Sequence, residues 1–113
     1  MGNLHHLSAR KKSRLERKPR GPEFVLRLYT AGTTPRSTRA VRNLRNICEA
    51  LIKGRYRLEI IDIYQQPGRA SEADIIAAPT LVKAEPQPPC RMVGDLSDRG
   101  RVISSLALLA GSK

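Results

Sequence analysis

Ile75-Ile76-Ala77-Ala78-Pro79-Thr80-Leu81-Val82-Lys83 is where the chain passes from one kind of structure to another. The apolar pair Ile75-Ile76 reads as the end of a short helix. Proline disfavours helical geometry in the residue before it, so Ala78 closes that helix. Pro79 has no N–H to leave unpaired, which suits entry into a strand. An X-Pro bond prefers trans by only about 0.5–1 kcal/mol, so a cis Ala78-Pro79 bond is accessible. A cis bond would turn the chain sharply into a sheet; a trans bond would leave an ordinary helix-to-strand loop.

Upstream, Phe24-Val25-Leu26-Arg27-Leu28-Tyr29-Thr30 is apolar on both faces, as a strand covered on both sides must be. A turn follows, in which Thr34 can cap a helix and Pro35 fits its first position. The helix runs from 35 to about 53. Ala40, Val41, Leu44, Ile47, Cys48, Leu51 and Ile52 recur at helical spacing and fill an arc of roughly 120°. Arg39, Arg42 and Arg45 form a basic stripe across from them, and Gly54 closes the helix. Residues 56–64 read as a second strand. Strand, long helix, strand is a crossover that makes the two strands parallel. Pro67-Gly68 reads as a loop, and Ser71-Glu72-Ala73-Asp74 as a capping box opening the short helix before Pro79.

Downstream, residues 80–85 are a third strand and Pro86-Gln87-Pro88-Pro89 a stiff turn. Cys90-Arg91-Met92-Val93 returns as a hairpin partner. Asp95 or Ser97 caps a last helix, whose apolar face is Val102, Ile103, Leu106, Leu109 and Ala110. The expected fold is α/β, a single small sheet in the order βαβαββα with helices on both faces.

Composition bounds the function. A chain of 113 residues fits one domain. The net charge of +11 favours an acidic partner such as nucleic acid, an anionic surface or an acidic protein face. Residues 1–22 carry seven Lys/Arg against the single acid Glu16, a net +6, which leaves +5 for residues 23–113. Those first 22 residues lack periodicity and read as a disordered basic arm ahead of a folded domain at 23–113. Two cysteines make no disulfide scaffold and no CxxC, so a reducing cytosol is the simple compartment. With no apolar leader and no membrane-length run, the chain is expected to be soluble and cytoplasmic.

The element order, with a proline opening the third strand, resembles the thioredoxin fold. Narrower stretches closely resemble the KaiB family of circadian clock proteins. They are Leu28-Tyr29-Thr30-Ala31-Gly32-Thr33-Thr34-Pro35-Arg36-Ser37, Ile61-Asp62-Ile63, Ala78-Pro79-Thr80-Leu81 and Val93-Gly94-Asp95-Leu96-Ser97-Asp98-Arg99. The resemblance implies two folds for one sequence: the thioredoxin-like monomer, and an alternative βαββααβ fold that assembles as a tetramer. It implies a non-enzymatic regulatory module without cofactor or metal. Its partner would be a KaiC-like hexamer of RecA-type ATPase subunits, whose phosphorylation and ATPase cycle it would modulate. A sensor histidine kinase and a resting dimer or tetramer are further implied partners.

The expected contact residues are Arg39, Arg42 and Arg45 on the helix and Ser71, Glu72, Asp74 and Ile75 before the turn at Pro79. Where the family usually carries Gly and Asp near the end, this chain has Ser105 and Ala107. Gly is about 1 kcal/mol worse than Ala in a helix and Asp is also poor. Residues 104–110 should therefore favour helix, and the thioredoxin-like form should be more populated here than in cyanobacterial relatives.

Chemistry has little foothold. A thioredoxin-type thiol would sit where the first strand meets the first helix, and Ala31-Gly32-Thr33-Thr34-Pro35-Arg36-Ser37 has no Cys. Cys48 and Cys90 fall in a helix face and a strand, where free Cys acts as a small hydrophobe. Asp62 is either a buried acid or a strand-end group satisfied by backbone. Two alternatives stand beside the leading reading. One is a nucleic-acid-binding protein driven by the arm, with steep salt dependence. The other is a KaiB-like stress or signalling paralogue.

Overall fold

The computed structural model describes residues 23–108. The basic arm expected over residues 1–22, and the last two apolar positions Leu109 and Ala110, lie outside them. The elements are β1 (Phe24–Thr30), α1 (Pro35–Leu51), β2 (Tyr56–Asp62), α2 (Pro67–Glu72), β3 (Thr80–Glu85), β4 (Cys90–Val93) and α3 (Arg99–Leu106). The expected βαβαββα order is therefore present.

The sheet order is β2-β1-β3-β4. β1 and β2 run parallel, with Leu28 opposite Ile60, as a crossover through α1 requires. β3 returns antiparallel to β1, with Leu28 opposite Leu81, and β4 pairs antiparallel with β3. Alternation along β1 sends Phe24, Leu26 and Leu28 to one face, where they form one core with Ala40, Leu44, Ile47 and Cys48 of α1 and Val102 and Leu106 of α3. The other face buries Tyr29, its register partner Ile61, and Ala70 of α2. There Arg69 of α2 donates to Glu59 of β2, so helices cover both faces.

Thr34 caps α1 as expected: its hydroxyl accepts the Ser37 N–H at 3.3 Å, with Pro35 in the first turn. The helix ends at Leu51, two residues short of the expected limit, and Gly54 lies in the following turn at φ +78°. Pro79 is buried behind a cis Ala78-Pro79 bond, and its carbonyl accepts the Gly94 N–H at 2.9 Å. The stiff turn after β3 contains two more cis bonds, Glu85-Pro86 and Gln87-Pro88.

Three expectations need correction. β2 stops at Asp62 rather than 64, because the Asp62 carboxylate accepts the Tyr64 N–H at 2.9 Å and turns the chain. It also accepts the Gly32 N–H at 3.3 Å, so Asp62 is a strand-end group satisfied by backbone.

The second short helix lies earlier than the capping-box reading placed it. Pro67 occupies its first turn, where a fixed φ and a missing N–H cost nothing. Ser71-Glu72-Ala73-Asp74 spans its end instead of its start. Asp74 takes the left-handed conformation at φ +55°. Its N–H reaches Ser71 O at 3.1 Å while the Ile75 N–H reaches Ala70 O at 2.9 Å. That pair of bonds is the Schellman closure of a helix C-terminus.

The last helix is capped by Asp98, whose carboxylate accepts the Arg101 N–H at 3.1 Å, and not by Asp95 or Ser97. Asp95 is occupied elsewhere. α3 then closes with the same two-bond motif: Ala107 N–H to Ser104 O at 3.2 Å and Leu108 N–H to Ile103 O at 3.1 Å, with Ala107 at φ +56°. Ser105 is helical as expected, but Ala107 lies just past the helix, where its helix propensity is not exercised.

Candidate partner-binding surface

The basic stripe on α1 does not behave as one surface. Residues three apart on a helix are separated by about 300°, so Arg39, Arg42 and Arg45 drift around the axis in steps of roughly 60°. Arg39 is drawn to one side, where its Nε donates to Asp95 Oδ2 at 3.2 Å. Asn43 Nδ2 donates to the Asp95 carbonyl at 2.9 Å, and the Ser97 N–H donates to Asp95 Oδ1 at 3.1 Å. The bonds from Ser97 and then Arg39 hold the Asp95 carboxyl below the ordinary aspartate range. Arg39 thus ties the segment ahead of α3 onto α1 while remaining half exposed.

Arg42 and Arg45 face the other way. With Thr38, Val41, Asn46 and Ile60 they line a groove of about 500 Å3 between α1 and the edge strand β2. No carboxylate among the described residues pairs with either guanidinium. The groove joins an apolar floor to two free positive charges.

The second surface is the turn after α2. Ser71, Glu72 and Asp74 are exposed and Ile75 is half buried. Ile76, read as the end of an apolar helix, is 97% exposed. The Schellman closure explains the division, since it commonly packs the residue after the left-handed position against the helix's last turn. Ile75 takes that inward place, and Ile76 is turned out. Arg91 of β4 anchors the turn from below: Nη2 donates to Ala73 O at 2.9 Å and Nη1 to Asp74 O at 3.2 Å. The outward turn of Ile76 and the role of Arg91 were not read from the sequence. Arg91 had no local signal, because its partners lie 17 and 18 residues away.

Elsewhere the ionisable groups serve structure. Arg69, assisted by Arg27, holds the Glu59 carboxyl below its usual range, and Glu59 raises Arg69 in turn. Burial, with help from Glu49, pushes the Cys48 thiol up to about 12. Tyr56 donates its hydroxyl to Glu49 at 2.6 Å, and that bond above all pushes it up to about 12. The Cys90 thiol is half buried and donates to Ser105 O at 3.4 Å. No His, Cys, Asp and Glu cluster suited to a metal occurs among the described residues, and no helix there is long and apolar enough to cross a membrane.

A family model described as the KaiB domain matches residues 27–108. The circadian clock oscillator protein KaiB of Synechococcus sp. (strain RCC307) is 51% identical over 86 residues, which is 76% of this chain and 78% of that protein. KaiB of Synechococcus elongatus (strain ATCC 33912) is 48% identical over 88 residues, 78% of this chain and 86% of that protein. Among solved structures, the N-terminal domain of Synechococcus elongatus SasA is similar, with a TM-score of 0.62 and 26% identity over 76% of this chain and 85% of that one. Chloroplastic thioredoxin z matches with a TM-score of 0.65 at 20% identity, over 86% of this chain and 84% of that one, and shows the shared fold alone.

Proposed function

This chain belongs to the KaiB family, and from that premise we propose that it is a non-enzymatic regulatory module that docks on a KaiC-like ATPase hexamer and modulates its phosphorylation and ATPase cycle. Identity of about half with curated clock proteins, extending over three-quarters of the chain, carries the reading. The contacts are assigned to the turn over residues 71–76, with Ser71, Glu72, Asp74 and Ile75, and to Arg42 and Arg45 beside their groove. Arg39 contributes from its exposed side while bonded to Asp95. The likeness to the SasA domain supports a second clock protein of the same shape competing for one docking position. The proposed site of action is the cytoplasm.

The same reading includes a resting oligomer with a rearranged C-terminal half. Its support is the placing of conformational cost. The described non-glycine residues at positive φ are Asp74, Leu96 and Ala107, and all three fall in that half. Left-handed geometry costs an L-residue about 1–2 kcal/mol. Helical Ser105 supports a chain that leans toward the thioredoxin-like form.

The test is size-exclusion of the full chain with a purified KaiC-like hexamer, with and without ATP. Co-elution at physiological salt is expected. Failure to co-elute in either nucleotide state, together with steeply salt-dependent capture of duplex DNA, would replace this reading with nucleic-acid binding through the arm.

A further inference from the structure

We propose that Ile76 is a preformed apolar anchor, held out by Arg91, that enters an apolar pocket with a basic rim on the partner ring; this rests on the docking reading above. Ile76 is the most exposed of the described large hydrophobic residues, at 97%. Single exposed apolar residues are common and by themselves mean little. Here the exposure is enforced. A left-handed Asp74, two Schellman bonds and the two-pronged Arg91 clamp fix the backbone on both sides of Ala73 and Asp74. Three residues past Asp74 the chain is tied again: Thr80 Oγ1 donates to Ala77 O at 2.6 Å, and Pro79 is buried. Between those ties Ile76 cannot fold back onto the sheet. A backbone held in place before binding loses little freedom on docking, which is how a small contact becomes a strong one.

Charge names the partner's chemistry. The anchor is flanked by the exposed acids Glu72 and Asp74, in a chain of net charge +11. Glu72 shares part of its field with Arg69, and the Arg91 guanidinium lies under the backbone of Asp74. An acidic collar around an apolar knob matches a basic rim around an apolar pocket, and collars of this kind act mainly on the rate of encounter.

The experiment measures association and dissociation of the full chain with a purified KaiC-like hexamer, beside amide hydrogen exchange of the free protein. Ile76→Ala should weaken binding at least tenfold, chiefly through faster dissociation, with an unchanged thermal midpoint. Asp74→Asn should slow association severalfold and flatten its salt dependence. Arg91→Gln should speed exchange of the Asp74 and Ile75 amides at least tenfold in the free protein and slow association, and Arg91→Lys should restore part of both. If wild type binds and Ile76→Ala binds equally well, the anchor is wrong and the docking function stands. If exchange in Arg91→Gln is unchanged, Arg91 does not hold the turn. If wild type does not bind the ring, the docking function and the anchor fall together.

Discussion

The ammonium of Lys83 donates to the carbonyl oxygen of Leu106 at 3.3 Å, joining the interior of β3 to the last turn of α3. Lys83 is 3% exposed, so this is a buried charge aimed at the negative end of a helix. Lys83→Met keeps most of the volume and removes the donor. Hydrogen bonds to charged groups are worth about 1.5–3 kcal/mol, offset here by the relief of a buried charge. A net loss of about 1 kcal/mol is expected in urea unfolding. Amide exchange at Ala107 and Leu108 should accelerate before the rest of the molecule.

Ala107→Gly should stabilise the fold. The residue stands at φ +56° and lies outside the helical run, so glycine relieves left-handed strain without a helix penalty. The expected gain is about 1 kcal/mol, read as a higher urea midpoint at constant slope. A lower midpoint would show that the left-handed turn is not present in solution.

Acid should loosen the molecule through Asp95 and Glu59. Both carboxyls lie below their ordinary values of 3.8 and 4.5 in the folded state. A depressed carboxyl contributes stability above its unfolded pKa and loses it as pH falls through the folded one. The loss therefore begins near pH 4.5 and deepens below it. Glu59 is exposed and Asp95 half-buried, so solvent screens both and the effect is modest and salt-sensitive. An Asp95→Asn, Glu59→Gln double variant should show a flatter acid limb in a stability-against-pH series.

Alkali should act through Cys48 and Tyr56. Each is raised, Cys48 from 9.0 and Tyr56 from 10.0, both to about 12. A raised group contributes stability that is fully present below its unfolded pKa and disappears as pH climbs through the folded one. Stability should thus decline from about pH 9 toward 12. At pH 8 the buried Cys48 should resist an aromatic disulfide reagent in the native protein while Cys90 reacts. Both should react after unfolding. Equal native rates would contradict the burial of Cys48.

The sequence reading found the strands and α1 because their signals are periodic and local. Apolar spacing from Ala40 to Ile52 leaves one answer, and Pro79 marks its boundary by covalent geometry alone. It misplaced α2 and the start of α3 because capping residues are interchangeable on paper. Ser71, Asp95, Ser97 and Asp98 all suit a cap, and tertiary bonds decide which is used. Asp95 is claimed by Arg39 and Asn43 across 56 and 52 residues, which leaves Asp98 to cap. The segment at 71–76 is a proposed contact surface, whereas the outward turn of Ile76 was not legible, because it follows from bonds made by Arg91 that no spacing rule connects to it.

β1 lies between two partners, β2 on one side and β3 on the other. During synthesis β1, α1 and β2 leave the ribosome before β3 exists, and domains form in that N-to-C direction. The parallel pair can close first, leaving one open edge on β1. β3 fills that edge and β4 then pairs with β3, so the later half of the sheet assembles on a template it did not build.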